Sequence, residues 1–462
     1  MIKKKNIQHI IGIAVILMIA IRYYFSYPYT ADTKDYYQWA RCINLGMLPY
    51  KDFNMLQTPL SAYISALFYK LDNTIFFLHI VPYTIVNFIT VFFSIKIIKL
   101  KKEDAPIFPI YLWGVTSAVI CNALYNTLSA MFWVIGVYIH LSYKRKNKLY
   151  KLALIGFLAG MCFYAKQNTA AYMVAGFGIV FILNWIKKKE KARTIVKEIS
   201  VLWLSFLATI GAGLLIFWYQ GNLNEFFEYA VFPASNFIFP YLKSAADVMT
   251  IFLMLFIPLS IIIIAGISAK ETEISVMGII SILIAFPVAN IAHLSLSFLF
   301  LFIIFSISFD TRKKTKFFLM WIVSMVYVDM ILSMTFYSSI KEIPKVYDKK
   351  IIEYLDNKDV SKYHIVDAIA GYYSVYYDKY DKYYDLFLSG NLGKKTQTDV
   401  IQETIDNEQG NFFVVRTSKY KSEDEFTLDV FSLNSKNLYE YIQDRCEYVE
   451  NIDENYVVYK IP

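Results

Sequence analysis

Charge is what this 462-residue chain has least of: Asp, Glu, Lys and Arg together make up 18% of it. A soluble globular domain carries about 25%. Apolar side chains fill the shortfall, at 57% of the total, which excludes an ordinary soluble enzyme as a description of the whole chain. Proline and glycine are also sparse, at 12 and 17 residues, so collagen-like and low-complexity disordered structure are excluded. Cysteine is limited to Cys42, Cys121, Cys162 and Cys446. None forms a C-x-x-C pair, and no Cys/His cluster has metal spacing. There is no G-x-G-x-x-G or P-loop after a strand, and no D-x-D triad. The usual devices for holding nucleotides and nucleotide sugars are therefore missing. Internal repeats are absent, and so is the inverted symmetry of many transporters.

What is present is a series of long apolar runs. A spanning helix needs roughly 20 apolar residues. On that ruler the chain predicts spans near 8–27, 75–98, 106–122, 125–142, 149–165, 169–186, 197–219, 247–268, 274–291, 294–309 and 317–338, about eleven in all. The first run, from Ile10 to about Tyr27 behind Lys3, Lys4 and Lys5, is too long for a signal peptide and lacks a small-x-small cleavage site. It reads as a retained helix. The net charge of +8 is no nucleic-acid footprint, because the basic residues sit in short clusters between apolar runs. Those clusters are Lys3–Lys5, Lys96–Lys102, Lys144–Lys151, Lys187–Lys197 and Arg312–Lys316, with Lys270 alone in a turn. The intervening turns hold little beyond Lys166 and Lys243. This alternation is the positive-inside pattern. It puts the N-terminus in the cytoplasm of a cell-membrane protein and, with an odd helix count, the C-terminal end outside. Cys42 and Cys446 would then share the outer side, yet nothing in their spacing argues for a disulfide, and unbridged thiols are expected.

The fold class that follows is an α-helical polytopic membrane domain, residues 1–338, with an extracytoplasmic α/β domain, residues 339–462. Two outer loops are too long for turns, 28–74 and 220–246. In the first, Asp32 or Thr33 caps a helix through Tyr36, Trp39, Ala40 and Ile43 that stops at Gly46. Thr58-Pro59 starts a second helix, Pro at the first helical position suiting that start. Both are expected to lie on the membrane surface. After Ser339 charge becomes frequent and apolar runs shorten. His364–Val366, Phe412–Val415 and Tyr456–Tyr459 read as strands, and 395–408 and Leu438–Arg445 as helices, an alternation typical of α/β folds. The tyrosines of Tyr372–Tyr384 are expected to fill the core of this domain.

The loop 31–71 gathers Asp32, Asp35 and Asp52 with Lys34, Arg41 and Lys51. Carboxylates deprotonate hydroxyls, and cations hold a phosphate that gains charge as it leaves. That combination suits transfer of a group from a phosphate-linked lipid to an alcohol. Composition alone favours an ordinary solvated loop, since loops are normally polar. Lys166, in Tyr164-Ala165-Lys166-Gln167-Asn168, lies between two apolar spans, where a charge is costly and points to function. Snorkelling to the interface is the alternative. His293 reads as a polar cap at a helix end, with phosphate or sugar binding as its other role. Tyr125-Asn126-Thr127, Glu225, Glu228 and the aromatics of Phe226–Phe239 share the outer side. Several carboxylates leave room for a divalent metal, but no ligand set is evident and no cofactor is certain.

The order of residues adds a resemblance. Asp32, Tyr36, Ala40, Arg41, Gly46, Pro49, Tyr50, Asp52, Phe53, Pro59, Leu60 and Tyr63 form a pattern that resembles the first outer loop of GT-C glycosyltransferases. That superfamily includes the bacterial aminoarabinose transferases and protein O-mannosyltransferases. The match is close over about forty residues, and helix number, loop sizes and the C-terminal domain agree more loosely. The resemblance implies an inverting enzyme whose donor is a polyprenyl-phosphate-linked sugar. The acceptor would be a glycan, lipid or protein outside the cytoplasm, and membrane lipids would surround the enzyme. Asp32 would be the catalytic base, with Asp35 and Asp52 as second carboxylates; Asp35 by itself reads as an exposed helix charge. The family's Lys-Pro-Pro-Leu is Gln57-Thr58-Pro59-Leu60 here, and its Asp-Glu is Asp32-Thr33. The phosphate contact therefore passes to Lys166, with Arg41, Lys51 and Lys243 as further cations. Tyr50, Gln57, Gln167 and His293 are expected to line the site.

Two other classes remain in view. A polysaccharide polymerase or ligase would carry its large loop late in the chain and no trailing domain. A lipid-linked sugar flippase or transporter would carry charges near mid-membrane and broken spans. The polar residues here gather instead on one side.

Overall fold

The computed structural model describes residues 9–10, 13, 31–55, 57–73, 76–107, 109–111, 113–114, 124–142, 148–188, 192–232, 252, 256, 259–267, 270–283, 291–308, 349–367, 370–377, 392–417 and 438–462. The membrane domain begins with α1 (Ala31–Asn44) and α2 (Leu60–Tyr69). A π-helical turn, Phe76–Ile80, leads into α3 (Val81–Lys101). There follow α4 (Leu124–Ser142), α5 (Lys148–Ala165), α6 (Gln167–Lys188) and α7 (Ala192–Gln220). A short α8 (Leu223–Phe226) runs into a second π turn, Phe227–Val231, and α9 (Thr272–Ile282) and α10 (Ile291–Ser308) complete the bundle. By length and composition α3, α4, α6 and α7 each suffice to cross a membrane. Helix α7 shows why lipid is its solvent. Leu204, Leu207, Leu215, Ile216 and Trp218 are each more than half exposed, and a helix apolar on every side needs an apolar surrounding. The chain is a multi-pass membrane protein. The spans expected at 8–27 and 106–122 lie largely, that at 247–268 half, and that at 317–338 wholly outside the described residues.

Polar contacts collect at the two ends of the bundle. At one end Lys101 meets Glu271 at 2.8 Å, and Asn184 Nδ2 donates to Glu273 at 2.6 Å. Lys187 Nζ donates to the Thr272 hydroxyl at 2.8 Å, and His140 lies 3.6 Å from Glu273. The basic clusters around residues 96–102, 187–197 and 270 thus share one end. Lys166 bonds Asn126 at the other. Asn126 and His140 stand at opposite ends of α4, about 21 Å apart at 1.5 Å per residue.

Helices α5 and α7 approach each other closely. A Cβ on Gly156 would stand 2.4 Å from the Leu202 carbonyl oxygen, and one on Gly160 2.4 Å from Thr209 Cβ. Small residues let two spans touch along their backbones, which replaces the missing hydrophobic drive in lipid. Gly156→Ala is expected to lower stability by ~1–3 kcal/mol, because the obstructing atom is backbone. Thermal unfolding in detergent reads this. Gly178→Ala is the control, since nothing lies within 4 Å of its Cβ; equal melting of the two variants would refute the packing argument.

The C-terminal domain contains α11 (Lys349–Leu355), β1 (Tyr363–Val366), α12 (Ala370–Tyr377), α13 (Gln397–Asn407), β2 (Phe412–Arg416), β3 (Glu447–Asn451) and β4 (Tyr456–Lys460). The sheet order is β1-β2-β4-β3, with β1 parallel to β2 and the other pairs antiparallel. Side chains alternate across it. Phe413 and Val415 face α13, while Val414 faces α11 and α12. The strands read from sequence form as expected. Strand β3 was not foreseen: every residue of it is exposed, so it carries no apolar alternation. Of the tyrosine run, Tyr373 is buried and Tyr376 half exposed; residues 378–384 lie outside the described residues. Cys42 and Cys446 are not bonded to each other.

Candidate active site

Helix α1 forms where expected, with Gly46 in the left-handed region (φ 84°) ending it. Two details differ. Asp32 and Thr33 lie inside the helix instead of capping it, and Pro59 is the residue before α2 instead of its first. The larger correction concerns setting. Tyr36, Trp39, Ala40 and Cys42 are all buried, so this face of α1 is covered by protein. It packs against α2, the first π turn and α12 of the C-terminal domain. Only α2 keeps an apolar edge outward, at Leu67. Asp35, read from sequence as an exposed helix charge, is 4% exposed. The cause is that Asp35 lies next to Tyr36 and Trp39 on the face of α1 that the protein covers.

The segment after Gly46 is a compact turn. The Asp52 carboxylate accepts from the Leu48 N–H at 2.7 Å, and the Tyr50 N–H donates to the Phe53 carbonyl at 2.7 Å. Tyr50 holds φ 70°, unusual for a bulky residue. Its ring is fully buried against Phe217 and Phe226, and its hydroxyl donates to the Gln57 carbonyl at 2.7 Å. Burial pushes the Tyr50 phenol well above its ordinary value, and the nearby phenols of Tyr63 and Tyr164 add to the rise. Such a phenol keeps its proton and is no base. Tyr50 and Asp52 therefore shape the loop, and Lys51 is exposed beside them. Asn222 Nδ2 donates to the Pro49 carbonyl at 2.9 Å, which ties this turn to the second loop.

Lys166 sits at the junction of α5 and α6 and is 7% exposed. Its ammonium donates to Asn126 Oδ1 at 2.6 Å and stands 5.3 Å from the Tyr125 ring centre. The Tyr125 N–H donates to the Tyr36 hydroxyl at 3.2 Å. One short chain of contacts thus joins α1 to Lys166, one residue away from Asp35 at Tyr36. Snorkelling does not describe this lysine, because its head is inside. Gln167 Nε2 donates to the Ala230 carbonyl at 2.8 Å and fastens the second π turn. Arg41 donates to the Tyr69 hydroxyl at 3.2 Å and lies over that ring; it ties α1 to α2. His293 is in the first turn of α10. The side chains of Asp32 and His293, and all of Lys243, lie outside the described residues.

Sequence reasoning missed the polar interior around these groups. Gln38, Thr58, Ser61 and Ser65 are fully buried. Their side-chain polar atoms have no hydrogen-bond partner in the protein, and neither do the Trp39 N–H, Gln57 Oε1 or Asn126 Nδ2. An unmet buried polar group costs about 1–3 kcal/mol, and native proteins keep few of them. These residues occupy α1, α2, their link and the Lys166 end of α4; α2 packs on α1 and reaches α4 and α5. The i,i+4 spacing of Ser61 and Ser65, with Thr58 three residues earlier, was the available signal: one polar face on an otherwise apolar helix. Among the described residues no three His, Cys, Asp or Glu side chains gather as a metal site.

The C-terminal domain reaches both long loops. Helix α12 lies on α1, and the Lys394 N–H donates to Glu228 Oε1 at 3.3 Å. Gly393, at φ 64°, packs there so closely that a Cβ would stand 2.8 Å from Glu228 Cγ.

No family model matches the sequence, and no curated protein matches it. Among solved structures, the chain is similar to ArnT from Cupriavidus metallidurans in its crystal structure bound to undecaprenyl phosphate. The TM-score is 0.52 at 10% identity, over 98% of this chain and 98% of that one. At such low identity the likeness is one of fold alone, and it extends over nearly the whole of both chains.

Proposed function

We propose, on the premise of an ArnT-like fold, that this chain is an inverting glycosyltransferase of the GT-C type. It moves a sugar from a polyprenyl-phosphate donor to an acceptor hydroxyl on the outer face of the membrane, in cell-surface glycan assembly. We take the Lys166 end of the bundle as the outer end, a reading supported by the basic clusters at the opposite end. The observation that carries the reading is Lys166: a buried cation between two spans, joined through Tyr125 and Tyr36 to the helix that holds Asp32 and Asp35. A buried charge at that depth needs a purpose, and a lipid phosphate arriving from the bilayer supplies one.

In this reading Asp32 takes the proton from the acceptor hydroxyl, and the acceptor oxygen attacks the anomeric carbon from the face opposite the phosphate. The bond between that carbon and the phosphate oxygen breaks. Polyprenyl phosphate departs with the electron pair, and Lys166 balances its charge. Arg41 and Asp52 hold the loop, and the C-terminal domain covers the site. No step is routed through a metal.

The test is transfer by the purified full-length chain in lipid, from undecaprenyl phosphate bearing a labelled sugar, with cell-envelope extract as the acceptor source. Label is expected to leave the carrier for an acceptor. Label that crosses a vesicle bilayer while still attached to its carrier would establish a flippase in its place.

A further inference from the structure

Resting on that transferase reading, we infer that Asn126 is a positioning residue for the donor phosphate: its amide fixes the Lys166 ammonium without cancelling the charge. The geometry of the pair leads there. Lys166 enters from the junction of α5 and α6, where its backbone N–H donates to the Cys162 carbonyl at 2.7 Å. Between that backbone and the ammonium lies a flexible four-carbon stem. Such a stem reaches many positions, and a partner has to select one. Asn126 does so, accepting from Nζ at 2.6 Å while itself 1% exposed. Its own place is fixed. It stands in the first turn of α4, where the Ser129 hydroxyl donates to its carbonyl at 2.8 Å. Its neighbour Tyr125 is tied to Tyr36 of α1. The ammonium is therefore set from α4 and held in register with the helix that carries Asp32 and Asp35.

The identity of the residue matters as much as its place. An ammonium only donates, so the amide must turn its oxygen to Lys166 and its Nδ2 elsewhere. That Nδ2 is buried and has no hydrogen-bond partner in the protein, a burden on stability. A carboxylate would bring no unmet N–H and would make the stronger, charge-assisted bond. It would also neutralise the cation that a phosphate needs. The amide orients the ammonium and leaves its charge in force. A residue kept only to satisfy a buried lysine would be replaced equally well by aspartate, which has the same shape and the same accepting oxygen. The positioning role and the purely structural one separate at that substitution.

The test measures binding of sugar-free undecaprenyl phosphate to the full-length chain in lipid, with thermal unfolding beside it. Asn126→Asp is expected to weaken binding by ~10-fold or more and to leave the melting temperature at or above the wild-type value. Asn126→Ala removes the acceptor and should weaken binding by roughly 3–10-fold; it carries the test should the aspartate variant fail to fold. In a Lys166→Gln background neither substitution should weaken binding further, because Asn126 acts only through that lysine. Undiminished binding in Asn126→Asp overturns the inference. So does a further loss of the same size in the Lys166→Gln background, since Asn126 then supports the fold or meets the lipid by itself. Either result leaves the transferase reading standing. A wild-type chain that neither binds undecaprenyl phosphate nor transfers a labelled sugar from it removes that reading, and the inference with it.

Discussion

Asp32→Asn is expected to cut sugar transfer by roughly 10²–10⁴-fold, the contribution of a positioned general base. Asparagine keeps the size and the hydrogen-bonding capacity of the side chain and removes its ability to take a proton. The loss should therefore fall on kcat, while affinity for undecaprenyl phosphate and thermal unfolding stay at wild-type values. The pH profile adds a second readout. The ascending limb of kcat/KM reports the base and is expected to vanish in the variant. Asp35→Asn is the informative comparison. Asp35 is buried one helical turn on, so its carboxylate is not the bystander that an exposed charge would be. We expect a smaller loss than for Asp32→Asn. A larger loss with Asp35→Asn, and a surviving pH limb with Asp32→Asn, would move the base to Asp35.

Lys166→Gln is expected to lower kcat/KM by about 10²–10³-fold, the scale of losing one preorganised electrostatic contact to developing charge. Glutamine is chosen because its amide can still donate to Asn126 Oδ1, the acceptor that Lys166 now serves at 2.6 Å. Removing the charge then does not strand a buried acceptor, and the fold survives the substitution. Binding of undecaprenyl phosphate should weaken in parallel, which separates a phosphate contact from one acting only in the transition state. Lys166→Arg should recover little, because the planar guanidinium does not fit a site shaped around a compact ammonium. Activity within a few-fold of wild type in Lys166→Gln would assign the phosphate to another cation, with Arg41 the next to replace.

Particular residues show what could be read in advance. The span at Leu124–Ser142 was legible because apolar run length is a property of consecutive residues. Gly46 was legible as a helix stop because a left-handed terminus favours glycine. Lys166 stood out because a lysine between apolar spans is rare enough to need a reason. Asp52 and Tyr50 were legible as a motif but not as a turn, since the Leu48 and Gln57 bonds that define their roles are contacts, not patterns. Strand β3 left no trace because nothing on it is buried.

From the sequence alone came the membrane class, the spans α3, α4, α6 and α7, the separation of basic clusters from Lys166, the helix α1 and three strands of the C-terminal domain. All of these follow from local periodicity, hydropathy and charge position, which are one-dimensional quantities. Only the tertiary structure decided that Asp35 is buried, that Arg41 and Asp52 brace the loop, and that Lys166 turns inward onto Asn126. It alone placed α12 on α1. The reason is distance along the chain: Tyr36 meets Tyr125 across 89 residues, and Pro49 meets Asn222 across 173. Burial is a property of what arrives from elsewhere, and no local pattern records which distant segment will cover a given side chain.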